Sequence, residues 1–492
     1  MLNVQFFTAL MPPSKTSATL ANTMCPIDAL PYDVLREIFI HCLPPYPLRP
    51  YQMNAEDFRR HHLVPMLLCH VCAFWRMVAL STPILWSHLS LCITIYEFTS
   101  NFDWYIRSKK KIKLIRWWKR NQGSVIPPFI TLTAAVCLID NRYRPKHRKP
   151  LAGDSEKFLL DYLMTAQYLD IDVFLWERIG DRFKNGGRVS FPNLRTVVEG
   201  VDAITEFGMT FLRVGHEASA LTSASRLHAD GVEFPYHAIY ADRQRHDWTN
   251  LTHISMVDVS MPLRFWFSFL CAVANIQWGY FSVRFLDDTT DNDGPDQCTL
   301  AHLTTLSIFY HLEVQSVGDV AFPISFLFED LYLPALHTLS LYSNMETWRT
   351  EDSIDELSNA ILCAPNLTTL HLKSCFLSFC EETEPFWKYA SSLTHLQLEP
   401  AVFPMLNMSE EEFFTIFFGT VLSREFGWLD LANTECSIRV VTLIISDDNV
   451  AKDYATARLL ELSETIPRVE FRLTSNSPTD ESRDKWKEWS TF

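Results

Sequence analysis

Apolar residues from Ile27 to Pro44 fall at Val34, Leu35, Ile38, Phe39 and Cys42, which are positions i, i+1, i+4, i+5 and i+8 of one helix face. Pro31 opens this helix, Asp33 and Glu37 suit its N-terminal half, and Pro44 and Pro45 stop it. The polar, proline-rich stretch around 46–62 predicts an exposed loop. A second helical block, LVPMLLCHVCAFWRMVALS, then runs to a turn enforced by Pro83.

Farther on the period changes from helical to alternating. LTHISM (251–256), LTTLSI (303–308), LHTLSL (336–341), LTTLHL (367–372) and LTHLQL (393–398) all fit L-x-x-L-x-L. Weaker copies begin at Leu194, Leu227 and Ile276, so that successive copies start 24 to 33 residues apart. That is the irregular period of a leucine-rich repeat, with looser copies near 168, 440 and 466. Each unit is expected to be a strand followed by a helix, burying its apolar edge by stacking on its neighbours. The predicted fold class is an α/β solenoid: a small all-α module, then an irregular repeat array with a parallel concave sheet. The expected divisions are a loose tail at 1–24, the helical module at 25–92, the solenoid at 93–475 with clear repeats over 190–400, and a polar tail at 476–492.

Alternation also sorts the strand residues. Leucines point inward, and the residues between them point outward onto the concave face. The outward set is His253 and Ser255; Thr305, Ser307 and Phe309; Thr338, Ser340 and Tyr342; Thr369, His371 and Lys373; and His395 with Gln397. Mostly hydroxyl-bearing, with a few rings and charges, it resembles an adaptable contact surface more than a reactive constellation.

Composition narrows the function classes. Only 14 of 492 residues are glycine, and no phosphate-cradling glycine motif is present. No GxSxG or HExxH occurs either, so no enzymatic activity and no cofactor are expected. No apolar run reaches the ~18–20 residues that a membrane helix needs. The net charge of −15 conceals an asymmetry: residues 107–149 hold 13 Lys or Arg against one acid. Within RSKKKIKLIRWWKRNQ, however, Ile112, Ile115 and Trp118 form one apolar stripe. A helix covering the array, with solvated cations, accounts for it better than nuclear targeting or nucleic-acid binding.

The cysteine pair in CHVC, Cys69 and Cys72, raises the question of a metal or redox site. Structural zinc needs four ligands, and no second Cys-x-x-Cys exists. Cys69, Cys72, Trp75 or Arg76, and Ala79 share one face of an apolar helical block, where a buried cysteine acts as a small hydrophobe. No metal site is assigned.

The same residues carry a resemblance. Leu30-Pro31, Val34-Leu35, Ile38-Phe39, Leu67-Leu68, Val71-Cys72, Trp75-Arg76, Ala79, Pro83, Leu85-Trp86 and Leu89 stand in the order of an F-box. Residues 27–91 resemble the F-box-like type joined to leucine-rich repeats, with a longer loop around 46–62. The resemblance implies a substrate receptor of a cullin–RING ubiquitin ligase. In that role Leu30, Pro31, Val34, Leu35, Ile38, Phe39, Trp75, Leu85 and Trp86 would dock to the Skp-type linker, itself carried on the cullin scaffold. The repeats would bind an unidentified protein substrate in the cytoplasm or nucleus, without membrane or nucleic acid. The alternative is a non-degradative scaffold whose F-box-like module is only structural.

Overall fold

The computed structural model describes residues 30–43, 64–97, 109–123, 128–138, 153–172, 191–200, 223–230, 248–286, 297–312, 325–328, 331–343, 357, 360–373, 391–399, 414–415, 417–419, 431, 435–445, 452–475 and 485. The tail at 1–24, the loop around 46–62, the second basic run at 142–149 and most of the C-terminal tail lie outside the described residues.

Helix α1 spans Tyr32–His41. Pro31 is its N-cap and not its first helical residue, and the Pro31 carbonyl accepts from the Leu35 amide at 3.0 Å. The second helical block is two helices, α2 (Val64–Val71) and α3 (Ala73–Leu80). The break falls at Cys72, whose backbone is extended (φ −154°, ψ 174°) and whose sulfur accepts from the Trp75 amide at 3.4 Å. Arg76 bridges the break by donating from Nε to the Cys69 carbonyl at 2.8 Å. The single-face alignment of Cys69 with Cys72 is therefore corrected: Cys69 is buried, whereas Cys72 serves as a helix cap.

A short 3₁₀ turn, Pro83–Trp86, leads directly into the sheet. The strands in order are β1 (His88–Glu97), β2 (Phe129–Leu138), β3 (Tyr168–Asp172), β4 (Thr196–Gly200), β5 (Arg226–Asp230), β6 (His253–Pro262) and β7 (Trp278–Leu286). After the two-residue β8 (Cys298–Thr299) come β9 (Thr305–Leu312), the two-residue β10 (Leu331–Tyr332), β11 (Thr338–Ser343), β12 (Thr369–Lys373), β13 (His395–Glu399), β14 (Val440–Ile444) and β15 (Glu470–Thr474). Among the described residues all except β8 and β10 join one 13-stranded sheet whose spatial order is chain order, and β8 pairs with β10. Every pairing is parallel. The fold is α/β and solenoid-like: a one-way array in which each described strand of the large sheet pairs with the sheet strand before it and the one after it in the chain.

The helices α4 (Lys109–Gln122), α5 (Gly153–Leu163), α6 (Leu263–Ala272), α7 (Ser325–Phe328) and α8 (Lys452–Thr465) send their buried residues to the leucine side of the sheet. One core cluster runs from Leu35 through Leu306, Leu339, Leu370 and Leu396 to Val469. The basic stretch 109–122 is part of this covering: Ile115 and Trp118 are buried, while Lys113, Arg116 and Arg120 face solvent. Arg116 and Lys119 also lie over the Phe158 ring, at 5.2 and 5.5 Å.

Pair register corrects one repeat. Arg226 lies beside His253, so Leu227 matches Ile254, and the copy begins at Ala224, not Leu227. Alanine in the leading leucine position hid it. Gly279 takes a leucine position beside Leu306, and a side chain there would meet the Phe281 ring at 2.5 Å. Phe281 fills that space and packs edge-on to Trp266 at 4.8 Å. In β6 the register shifts between Met256 and Val259, with Asp258 at φ 50° and its carboxylate accepting from Ser282 Oγ at 3.2 Å.

The expected boundary at 92/93 falls inside β1, so the helical module and the array are not separate bodies. Trp86 is fully buried between them, donating from Nε1 to the Ala79 carbonyl at 2.9 Å and packing edge-on to Trp117 and Trp118 of α4. Trp118 in turn donates to the Trp86 carbonyl at 2.6 Å.

Candidate interaction surfaces

The first surface is on the N-terminal helices. Leu35 and Phe39, one α-turn apart, are fully buried, and Phe39 packs on Trp75 with ring centroids 4.9 Å apart. Leu85 and Trp86 are fully buried too. These four, expected to dock, are corrected to core residues: their apolar area is already spent within the chain. Leu30 and Trp75 are half-buried against the same core, and Pro31 is exposed.

A different set stays outside. Val34 (45% exposed) and Ile38 (38%) lie one turn apart on α1, as do Leu67 (54%) and Val71 (58%) on α2, with Met77 (54%) on α3. With Tyr32, whose hydroxyl meets Ser81 Oγ at 2.7 Å, these are six of the nine large apolar side chains exposed among the described residues. Scattered exposed apolar residues need no explanation, but such concentration on three neighbouring helices does. Leu67, Val71 and Met77 were not among the expected docking residues. Leu67 and Val71 did stand in the motif, and their i, i+4 spacing was the available signal.

The second surface is the sheet face turned away from the leucines. Register places all thirteen expected contact residues on it, in rows that run across the strands. His253, Thr305, Thr338, Thr369 and His395 share the first row, Ser255, Ser307, Ser340, His371 and Gln397 the second, and Phe309, Tyr342 and Lys373 the third. Their exposure differs by row. Ser255, Ser307, Ser340, His371 and Tyr342 are buried; the others are half-buried, except for exposed His395. Strands ~4.8 Å apart let larger neighbours shade a serine hydroxyl. These five are corrected from contact groups to buried supports of the face.

Two bonded groups stiffen it. His228 Nδ1 and Ser255 Oγ are 2.9 Å apart. Across β11–β13, Tyr342 Oη meets His371 Nδ1 at 3.2 Å, and Lys373 Nζ contacts Glu399 Oε1 at 2.5 Å. Glu399 Oε2 lies 3.4 Å from His371 Nε2, close enough to attract it but without the alignment of a hydrogen bond. Burial outweighs this carboxylate and holds the His371 imidazole below its usual value, hence neutral at pH 7. His253 is also held low, by burial first and then by the Arg226 and Lys485 charges.

An aromatic cluster lies on the same face. Phe129, Tyr168, Val257, Trp278 and Tyr280 are buried together, apart from the main core. Phe129 stacks on Tyr168 at 5.6 Å, and His253 lies parallel to Trp278 at 6.5 Å. The cluster was not anticipated, because Phe129, Tyr168, Trp278 and Tyr280 belong to repeats without the leucine signature.

Among the described residues no group of three or more His, Cys, Asp or Glu could hold a metal ion. The thiols that do meet are Cys271 and Cys298, 27 positions apart: their hydrogen bond pushes Cys298 up and Cys271 down. No helix among the described residues is long and apolar enough to cross a membrane.

No family model matches the chain, and no curated protein matches it. A crystal structure of a Bacteroides fragilis protein from a structural genomics programme aligns with 67% of this chain and 85% of its own. Its identity is 11% and its TM-score 0.31, too low to carry an argument about fold or function.

Proposed function

We propose that the chain is a non-enzymatic adaptor with an F-box-like head and a leucine-rich-repeat body. The head docks to the Skp-type linker of a cullin–RING ubiquitin ligase, and the outward sheet face receives a protein substrate in the cytoplasm or nucleus. One observation carries this reading: Val34/Ile38 and Leu67/Val71 are exposed as i, i+4 pairs and Met77 is exposed on the next helix, while Leu35 and Phe39 of α1 are buried in the core. Apolar anchors one turn apart are what a helix presents to a partner's groove. The half-buried hydroxyls, rings and charges on the repeat face suit recognition of a folded or extended protein.

Co-purification with the Skp-type linker tests this. The full-length chain should retain the linker, and a Val34→Asp/Ile38→Asp variant should lose it at least 100-fold while keeping its melting temperature within a few degrees. If the natural chain does not bind, or if the variant binds equally well, the docking reading fails. Leu35→Asp is unsuitable for this purpose, because a buried charge would unfold the head whatever its partner.

A second reading is a scaffold whose head is only structural. It is favoured by the continuity of the Leu35, Phe39, Leu85 and Trp86 packing with the repeat core. The same measurement separates the two.

A further inference from the structure

The aromatic cluster on the outward face has a chemical neighbour from a distant part of the chain. The Lys485 ammonium lies 5.4 Å from the centroid of the Trp278 ring, and its charge is felt at His253. Lys485 belongs to the polar segment that follows the last strand, ten residues after Ser475. Trp278 belongs to β7, six strand intervals before β15 in the sheet.

That separation can be checked against chain length. Six intervals at ~4.8 Å amount to roughly 29 Å along the sheet. Eleven residues from Thr474 to Lys485 reach at most ~36–40 Å. The segment is long enough to bring Lys485 back to Trp278, with little to spare.

We propose that the sheet face around His253 and Trp278 is a peptide-binding site, filled in cis by this chain's own C-terminal segment. The chemistry of the site fits such an occupant. A tryptophan face attracts an ammonium through its quadrupole, and more strongly when partly dry. Trp278 is only 4% exposed, and Tyr280 and Val257 beside it are buried as well. In the sequence Lys485 is followed by Trp486, Lys487 and Trp489, two more rings and one more cation within four positions. Tethering makes the contact intramolecular, so the segment can occupy the face without any external concentration of ligand. An external partner that takes this part of the face must displace the segment. The proposal concerns the repeat face alone and stands or falls independently of linker docking.

The test is intramolecular photocrosslinking in the full-length chain, with benzoylphenylalanine in place of Lys487. Crosslinks are expected within one chain, to peptides from 253–286. Lys485→Glu should lower their yield at least fivefold, and Trp278→Ala should do the same. Because Lys485 is exposed, its substitution leaves the array intact, and it carries the test if Trp278→Ala fails to fold. Crosslinks that map elsewhere, that join two chains, or whose yield is unchanged by Lys485→Glu would overturn the proposal.

Discussion

Cys72 caps a helix with its sulfur, a task that oxygen performs better. Cys72→Ser should therefore leave stability unchanged or raise it by up to about 1 kcal/mol, and Cys72→Ala should lower it by about 0.5–1 kcal/mol. Urea unfolding of the three chains checks this; a loss of several kcal/mol in the serine variant would point to a metal ligand instead. The histidines give a second residue-level expectation. Burial pushes the His88 imidazole down to about 3 and lowers those of His253 and His371, whereas unfolded histidine titrates near 6.5. Below that pH the unfolded chain takes up protons that the folded chain does not. Stability is thus complete above about pH 6.5 and falls progressively as the pH drops toward the folded values. His88 alone contributes up to about 2 kcal/mol of that loss by pH 5, less where water reaches its partly exposed edge. The stability difference between pH 7.5 and pH 5 should shrink in His88→Asn; an equal drop in both chains would remove the assignment.

At the scale of the element, the recurring Leu-Thr at strand entrances has a mechanical explanation. Thr252, Thr304, Thr368 and Thr394 donate from Oγ1 to the carbonyls of Ser225, Gln277, His337 and Thr368, one repeat earlier, at 2.9–3.3 Å. A second ladder runs through the turns before them. Asn275, Asn366 and Ser392 donate to the carbonyls of Thr249, Pro334 and Pro365. These bonds tie those repeats to their predecessors at the entrances and turns, outside the leucine core. Thr368→Val keeps the shape and removes the hydroxyl, so it should cost about 0.5–1.5 kcal/mol, measured by denaturant midpoint. No change would show that water replaces the bond without loss. The repeats themselves were readable because period-2 alternation and leucine coincide in them. Where glycine, alanine or an aromatic ring replaces leucine, as at Gly279, Ala224 and Phe281, the pattern is lost although the strand remains.

For the whole molecule, the consequence of the Trp86–Trp118 contact is that head and body fold as one. Residues 25–92 alone would cut β1 and expose Trp86, which is otherwise enclosed by α4. That fragment should lack a cooperative unfolding transition, and extension to residue 138, which adds α4 and β2, should restore one. Calorimetry of the two fragments decides it; cooperative melting of 25–92 would show that the head is autonomous.

The sequence by itself determined the strand–helix repeat, the parallel α/β class and the inward or outward direction of most strand residues. Those follow from local periodicity, which is set by backbone geometry. Only the tertiary structure decided which half of an apolar stripe is core. Val34 and Ile38 lie about 100° around α1 from Leu35 and Phe39, and a helix read alone does not say which pair its neighbours cover. Likewise, the buried serines, the Cys72 break and the Lys485–Trp278 contact depend on partners 3 to more than 200 positions away. Pattern reports what a residue prefers, and packing reports whether anything is there to satisfy it.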